Sequence, residues 1–243
     1  QHVRASIDSI LAQDYQDFEI VVIDDGSTDG SSEIVSSYSD PRVKVIRNDS
    51  NLGLPRSLNR GAEKAVGQYL ARQDADDLSS KDRFKLQVEM LDNNPRIGIA
   101  GSSWEWMDIY GDTYSVSYPD PGVDGLERVL INGGVPVPHG AMMVRRETFS
   151  DLHGYDNRFW FSQDYDFWLR VMNTEWQIGI VEKPLYRLRI GPTYTPYKER
   201  CQRRYTEIAL SQYHSRQRLE FEDVPTQVRT EDPASQREIP NAE

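Results

Sequence analysis

The chain has 243 residues, 37% of them apolar and 28% charged, enough for one large α/β domain or, at a stretch, two small ones; a single core of that size needs no disulfide or metal staple. A single cysteine, Cys201, excludes an internal disulfide framework and a multi-cysteine zinc site, and no run of about 18 apolar residues exists to cross a bilayer. The formal net charge of -11 disfavours a nucleic-acid partner, because a phosphate backbone would be repelled.

Six of the 28 cationic residues are lysine, which leaves 22 arginines. An acid-rich, lysine-poor surface of this kind is expected of a protein kept soluble in concentrated salt, as in a halophilic archaeon, where screening relieves self-repulsion. An ordinary acidic protein from a GC-rich genome carries a similar balance. The opening residues Gln1-His2-Val3-Arg4 do not read as a secretory leader, and the expected place is the cytoplasm.

Taken in chain order, Val3, Ile7, Ile10 and Leu11 fall on one face of a helix. Phe18 to Ile23 reads as a buried strand and ends in the polar loop Asp24-Asp25-Gly26-Ser27-Thr28-Asp29-Gly30. A short helix over Ser32 to Tyr38, a strand over Val43 to Ile46 and a helix from about Pro55 to Val66 follow. The next strand, Gln68 to Arg72, runs into Asp74-Ala75-Asp76-Asp77. A helix over about Asp82 to Leu91 stops at Asn94-Pro95, and a strand runs from Ile97 to Ser103. Residues 104 to 118 read as a hairpin turning at Tyr110-Gly111-Asp112, and 123 to 132 as a helix. Ala141 to Val144 reads as a strand, Tyr165 to Met172 as a helix, Trp176 to Val181 as a strand and Pro196 to Tyr213 as a helix. From about Ser215 the chain is polar and is expected to lack a packed core.

Strand and helix alternate over the first hundred residues. The expected fold is α/β, a mostly parallel, Rossmann-like sheet with helices on both faces. Residues 1–103 and 104–214 would form two halves of one domain, and 215–243 a tail. The opening helix calls for a strand before it, without which a central strand would be a raw edge, so the expectation is that the beginning has been lost.

Ligands of such sheets sit beyond the carboxyl ends of the strands, and two of these ends carry aspartate clusters. Asp24 and Asp25 could meet a pyrimidine or a ribose, or could simply close an Asx turn or sit before a capped helix. Asp74, Asp76 and Asp77 repel one another unless solvated or joined by a cation. Mg²⁺ or Mn²⁺ would suit them, while Asp77 with Ser79-Ser80 also suits a helix N-terminus. Asp164, after the rings of Phe159, Trp160 and Phe161, could serve as a general base or as a helix cap with Asp166 in the first turn. His139 is a lone histidine. No His-x-x-x-His pair, Gly-x-Ser-x-Gly elbow or phosphate-binding Gly-x-x-x-x-Gly-Lys-Ser/Thr loop is present.

Four stretches together resemble the inverting family-2 glycosyltransferases of the A-type, nucleotide-diphospho-sugar transferase fold. Ala5 to Gln13 is similar to the family's first helix, and Ile20 to Gly30 to its nucleotide-binding loop. Gln73 to Asp77 is similar to its Asp-x-Asp metal motif, and Gln163-Asp164 to its Glu-Asp base motif. The likeness runs to about residue 195. It departs in three places. The leading strand with its Pro-Thr-Tyr contacts is missing, Gln163 stands for the usual Glu, and Arg189 stands where a histidine is common. The processive Gln-x-x-Arg-Trp motif is absent, so a single transfer is implied.

The resemblance implies a metal-dependent transfer of a sugar from a nucleotide-diphosphate donor to an acceptor hydroxyl, with inversion, residues 1–103 being the nucleotide-sugar-binding half and 104–214 the acceptor-binding and catalytic-base half. Asp24, Asp25 and Asp74 would bind the nucleotide, Asp76 a Mg²⁺ or Mn²⁺ ion, and Asp164 would be the base. His139, Trp160 and Arg189 would meet the acceptor or the diphosphate. The aromatic run suggests a glycan or polyprenyl-linked acceptor, reached at the inner face of a membrane by peripheral contact. A sugar-phosphate nucleotidyltransferase or a non-catalytic nucleotide-binding relative are the rival readings.

Overall fold

In the computed structural model the described residues are 2–120, 122–191 and 196–215. The expected tail from 215 therefore falls, but for its first residue, outside them. The first half holds α1 (His2–Leu11), β1 (Ile20–Asp24), α2 (Ser31–Ser36), β2 (Val43–Arg47), α3 (Leu54–Lys64), β3 (Tyr69–Ala71), β4 (Leu78–Ser79), α4 (Arg83–Asn93) and β5 (Ile97–Met107). The second half holds β6 (Thr113–Ser117), α5 (Val123–Ile131), a 3-10 turn (His139–Ala141), β7 (Met143–Arg145), α6 (Arg146–Asp151), α7 (Gln163–Met172), β8 (Gln177–Arg189) and α8 (Pro196–Ser215). The two-residue β4, the short α6 and the extension of β8 to Arg189 were not expected from the sequence.

The strands pair in two groups. β1 and β2 form a parallel pair, and the larger sheet runs β3-β7-β5-β8-β4 with β6 beside β5. Pairing there is mixed rather than mostly parallel. Among its described residues only β5 and β8 run parallel, while β7 is antiparallel to β3 and β5, and β4 to β8. The expectation rested on helices returning the chain to one end of the sheet, but β7 enters between β3 and β5 antiparallel to both. The expected hairpin is present, β5 turning into β6 at residues 108–112. The Asp108 carboxylate builds that turn by accepting the N–H of Tyr110, Gly111 and Asp112 at 2.8–3.0 Å. β1 and β3 make no backbone pairs, although Ile20 and Tyr69 pack against the same apolar cluster.

Alternation along β5 and β7 puts a core on each face of the large sheet. Ile99 and Val144 face Phe149 of α6 and Phe167, Trp168 and Val171 of α7. Their neighbours Ala100 and Met143 face Ile10 of α1 and Phe84 and Leu91 of α4. Trp168 and Phe167 are fully buried. Each such side chain contributes about 1.5–3 kcal/mol, which anchors the start of α7, where Asp164 stands.

Candidate active site

The loop after β1 is built on two aspartates with different duties. Asp24 is buried and accepts the Ser27 N–H at 2.9 Å and the Ser32 hydroxyl, with Arg47 at 3.5 Å. Burial pushes its pKa up, but these hydrogen bonds and the Arg47 charge outweigh burial and leave it below the usual carboxylate range. Asp25 is half-buried. It accepts the side-chain amide of Asn48 at 2.7 Å and the N–H groups of Leu52 and Gly53 at 2.8 and 3.0 Å. It thus ties the strand end to the start of α3, leaving one carboxylate lone pair of about four without a protein donor.

Gly53 lies at φ 82°, and the ring of Trp160 covers it. A Cβ at Gly53 would fall 2.6 Å from that ring. Trp160 is 40% exposed and so closes one side of the Asp25 loop while keeping a face toward solvent.

Beyond β3 the three aspartates are treated very differently. Asp74 is half-buried and pairs with Arg72 at 2.5 Å. Asp77 is buried and accepts the Tyr186 hydroxyl and the Arg189 N–H, both at 2.7 Å. Burial, with help from Asp74 and Asp76, pushes the Asp77 carboxyl up to about 7 against those two hydrogen bonds. Asp76 is exposed, and its carboxylate makes no hydrogen bond or ion pair among the described residues.

Beneath them lies Arg83, fully buried. Its guanidinium donates to Gln87, Gln73 and Ser79 side chains and to the carbonyls of Arg72 and Met142. Burial lowers its pKa to about 10, so it stays charged at neutral pH.

The second half supplies the opposite wall. Gly140 presses against Tyr186, and a Cβ there would lie 2.9 Å from Asp74 Oδ2. His139 Nε2 and the Tyr155 hydroxyl share a 2.7 Å hydrogen bond. Burial and the Arg72 charge lower the His139 pKa to about 4, against the pull of Asp164 and Asp74, so the ring is neutral at pH 7. Burial raises the Tyr155 pKa, and the same Arg72, Asp164 and Asp74 charges act on it. Asp164, from the start of α7, and Asp74, from the loop after β3, therefore both act on one His–Tyr pair.

Asp164 itself is half-buried and carries no hydrogen bond or ion pair among the described residues. It does not cap its helix. Ser162, at φ 57°, holds the N-cap position, and Asp166 is buried against Arg170 at 2.8 Å. Arg189, at the end of β8, points its guanidinium at the carbonyls of Asp76, Asp108 and Ile109.

The sequence matches the model of the family described as glycosyl transferase family 2 over residues 1–152. The chain belongs to glycosyl transferase family 2. Among curated family relatives, it is 34% identical over 192 residues to the putative glycosyltransferase EpsE of Bacillus subtilis, covering 76% of this chain and 66% of that one. It is 31% identical over 194 residues to the uncharacterized glycosyltransferase MJ1057 of Methanocaldococcus jannaschii, covering 78% and 66%. The chain thus spans about two thirds of these relatives' length.

The fold is that of A-type glycosyltransferases. Staphylococcus aureus TarS 1-349 in complex with UDP matches with a TM-score of 0.64 at 18% identity, over 86% of this chain and 61% of that one. A mannosyltransferase from Pyrobaculum calidifontis, in complex with GDP-Man and Mn2+, matches with a TM-score of 0.65 at 18% identity, over 89% and 61%.

In this family-2 chain the donor set for a divalent ion is sparse. No group of three His, Cys, Asp or Glu side chains able to hold a metal occurs among the described residues. With Asp77 occupied by Tyr186 and Arg189, and Asp74 paired with Arg72, Asp76 is the free carboxylate of the cluster. That set suits a hard cation held by one or two carboxylates and completed by substrate phosphates, as Mg²⁺ commonly is. Arg72, Arg83, Tyr155 and Tyr186 were missed by sequence reasoning. A tyrosine or arginine gives no local signal of such a role; Tyr186, for one, reaches Asp77 only through the pairing of β8 with β4 and β5.

Proposed function

We propose that this family-2 chain moves a sugar from a nucleotide-diphosphate donor to an acceptor hydroxyl, in a single transfer with inversion. The observation that carries the reading is the joint action of Asp74 and Asp164 on the His139–Tyr155 pair, while Asp76 and Asp164 keep unbonded carboxylates. The relatives that the chain resembles in fold include proteins captured with UDP and with GDP-Man and Mn2+.

In this reading Asp25 offers its remaining lone pair to the nucleotide, and Asp24 serves by holding the loop's shape. Asp74, paired with Arg72, faces the ribose. Asp76 would hold a Mg²⁺ or Mn²⁺ ion, which when bound supplies charge neutralisation for the departing diphosphate. Asp164 accepts the proton of the acceptor hydroxyl as that oxygen bonds to the anomeric carbon. The bond from that carbon to the diphosphate oxygen breaks, and the nucleoside diphosphate leaves from the opposite face. A base of this kind contributes about 10²–10⁴-fold.

His139, neutral and backed by Tyr155, hydrogen-bonds a sugar hydroxyl, and Trp160 gives the acceptor an apolar wall. The acceptor is a glycan or a polyprenyl-linked sugar, met on the cytoplasmic side by peripheral contact. No helix among the described residues is long and apolar enough to cross a membrane. The acidic, lysine-poor composition is read as an adaptation to salt.

The test is a panel of α-linked UDP- and GDP-sugars with Mn²⁺ and simple glycan acceptors, with products read by proton NMR. A β-configured product carrying one added sugar supports the reading. Retention of the α configuration, or no turnover with any donor, overturns it.

A further inference from the structure

Arg189 ends β8 and touches three segments at once. Its backbone N–H donates to Asp77 Oδ1 at 2.7 Å, and its Nε donates to the Asp76 carbonyl at 2.8 Å. Its Nη1 donates to the carbonyls of Asp108 and Ile109 at 2.9 and 3.2 Å. The guanidinium forms no ion pair among the described residues and meets carbonyls alone. A cation so placed acts as a fastener between loops rather than as half of a salt bridge.

What it fastens is informative. The Asp108 turn is rigid, since one carboxylate accepts three successive backbone N–H groups. β8 is held along its length by β5. The segment from Asp74 to Asp77 has no such ladder, and β4 after it is only two residues long. Asp77 is turned inward by Tyr186 and the Arg189 N–H, and the peptide between Asp76 and Asp77 is held by the Arg189 side chain. With the carbonyl of Asp76 taken by Arg189, its carboxylate is left free and exposed.

We propose that Arg189 is a positioning residue that orients Asp76 for a divalent cation by clamping its peptide to the 108–112 turn. The proposal rests on the reading of Asp76 as the cation's carboxylate. Lysine cannot replace arginine here, because one ammonium on a flexible stem cannot reach two loops with fixed geometry.

The experiment is calorimetry of Mn²⁺ titrated into the protein saturated with UDP, and again with GDP. It compares wild type, Arg189→Lys, Arg189→Ala and Asp76→Asn, with metal-free nucleotide affinity and melting temperature measured alongside. The expected result is an Mn²⁺ affinity weakened about tenfold or more in both Arg189 variants, lysine giving no rescue, with metal-free nucleotide affinity unchanged. Lysine rescue, or a loss of metal-free nucleotide affinity, would mean that Arg189 meets the diphosphate itself, and overturns the proposal. A fall in melting temperature with unchanged Mn²⁺ affinity overturns it too, leaving a purely structural arginine. If Asp76→Asn binds Mn²⁺ as wild type does, the reading of Asp76 fails, and the proposal with it. If Asp76→Asn loses Mn²⁺ while the Arg189 variants keep it, only the proposal fails.

Discussion

At the scale of single residues the fold sorts carboxylates that look alike in sequence. Asp24, Asp77 and Asp166 are buried and spent on internal partners, whereas Asp76 and Asp164 are left unbonded. The clusters were legible as clusters, because aspartates at strand ends are a local signal. Which member is free was not legible, since it depends on Tyr186 and Arg189, more than 100 residues away. Likewise the capping alternative for Asp164 is settled by Ser162, whose left-handed backbone no periodicity announces.

His139 gives a prediction at this scale. Its pKa falls from 6.5 to about 4 on folding, so between these values the unfolded chain binds more protons and stability falls as pH drops. The contribution is fully present above about pH 6.5 and is lost by about pH 4. It amounts to something on the order of 3 kcal/mol. Urea unfolding from pH 4 to 7 should show a steeper acid loss for wild type than for His139→Asn. Parallel curves for the two proteins would remove His139 as a proton-linked group.

At the scale of elements the first hundred residues were the more readable part. There each apolar run is short, each helix has its own periodicity, and the links are tight. The strand expected over Trp176 to Val181 is longer as β8. The strand continues to Arg189 since β5 and β4 pair with its far end. β4 itself, two residues long, has no pattern to detect and exists only through β8.

At Gly140 the 3-10 turn presses on β8. A Cβ there would lie 1.8 Å from the Tyr186 hydroxyl, the group that donates to Asp77 and accepts from the Asp74 N–H. Gly140→Ala should therefore cost about 1–3 kcal/mol through overpacking and weaken metal-dependent nucleotide binding as the 74–77 loop shifts. Denaturant midpoints and calorimetry check this. An unchanged midpoint would show that Tyr186 can move aside without consequence.

At the scale of the whole molecule, two cores on the faces of one sheet bring the loops after β1 and β3 to the start of α7. The composition indicated a single large α/β unit, and the alternation its class. The mixed pairing stayed hidden because strand direction is set by where each connection ends, which local pattern does not carry. The net charge of -11 adds a prediction at this scale. Screening by molar KCl should stabilise the fold by about 1–2 kcal/mol, roughly 2–8 °C in melting temperature at this length. A flat or falling melting temperature would mean that the acidic surface is no adaptation to salt.

The central claim is that Asp164 acts on the acceptor while the nucleotide is held elsewhere, by the loops after β1 and β3. The measurement closest to it pairs donor affinity with turnover in Asp164→Asn, using the nucleotide sugar that wild type turns over. The account predicts donor affinity within about twofold of wild type and turnover reduced about 10²-fold or more. Turnover retained above about a tenth of wild type, or donor affinity lost together with turnover, would contradict it.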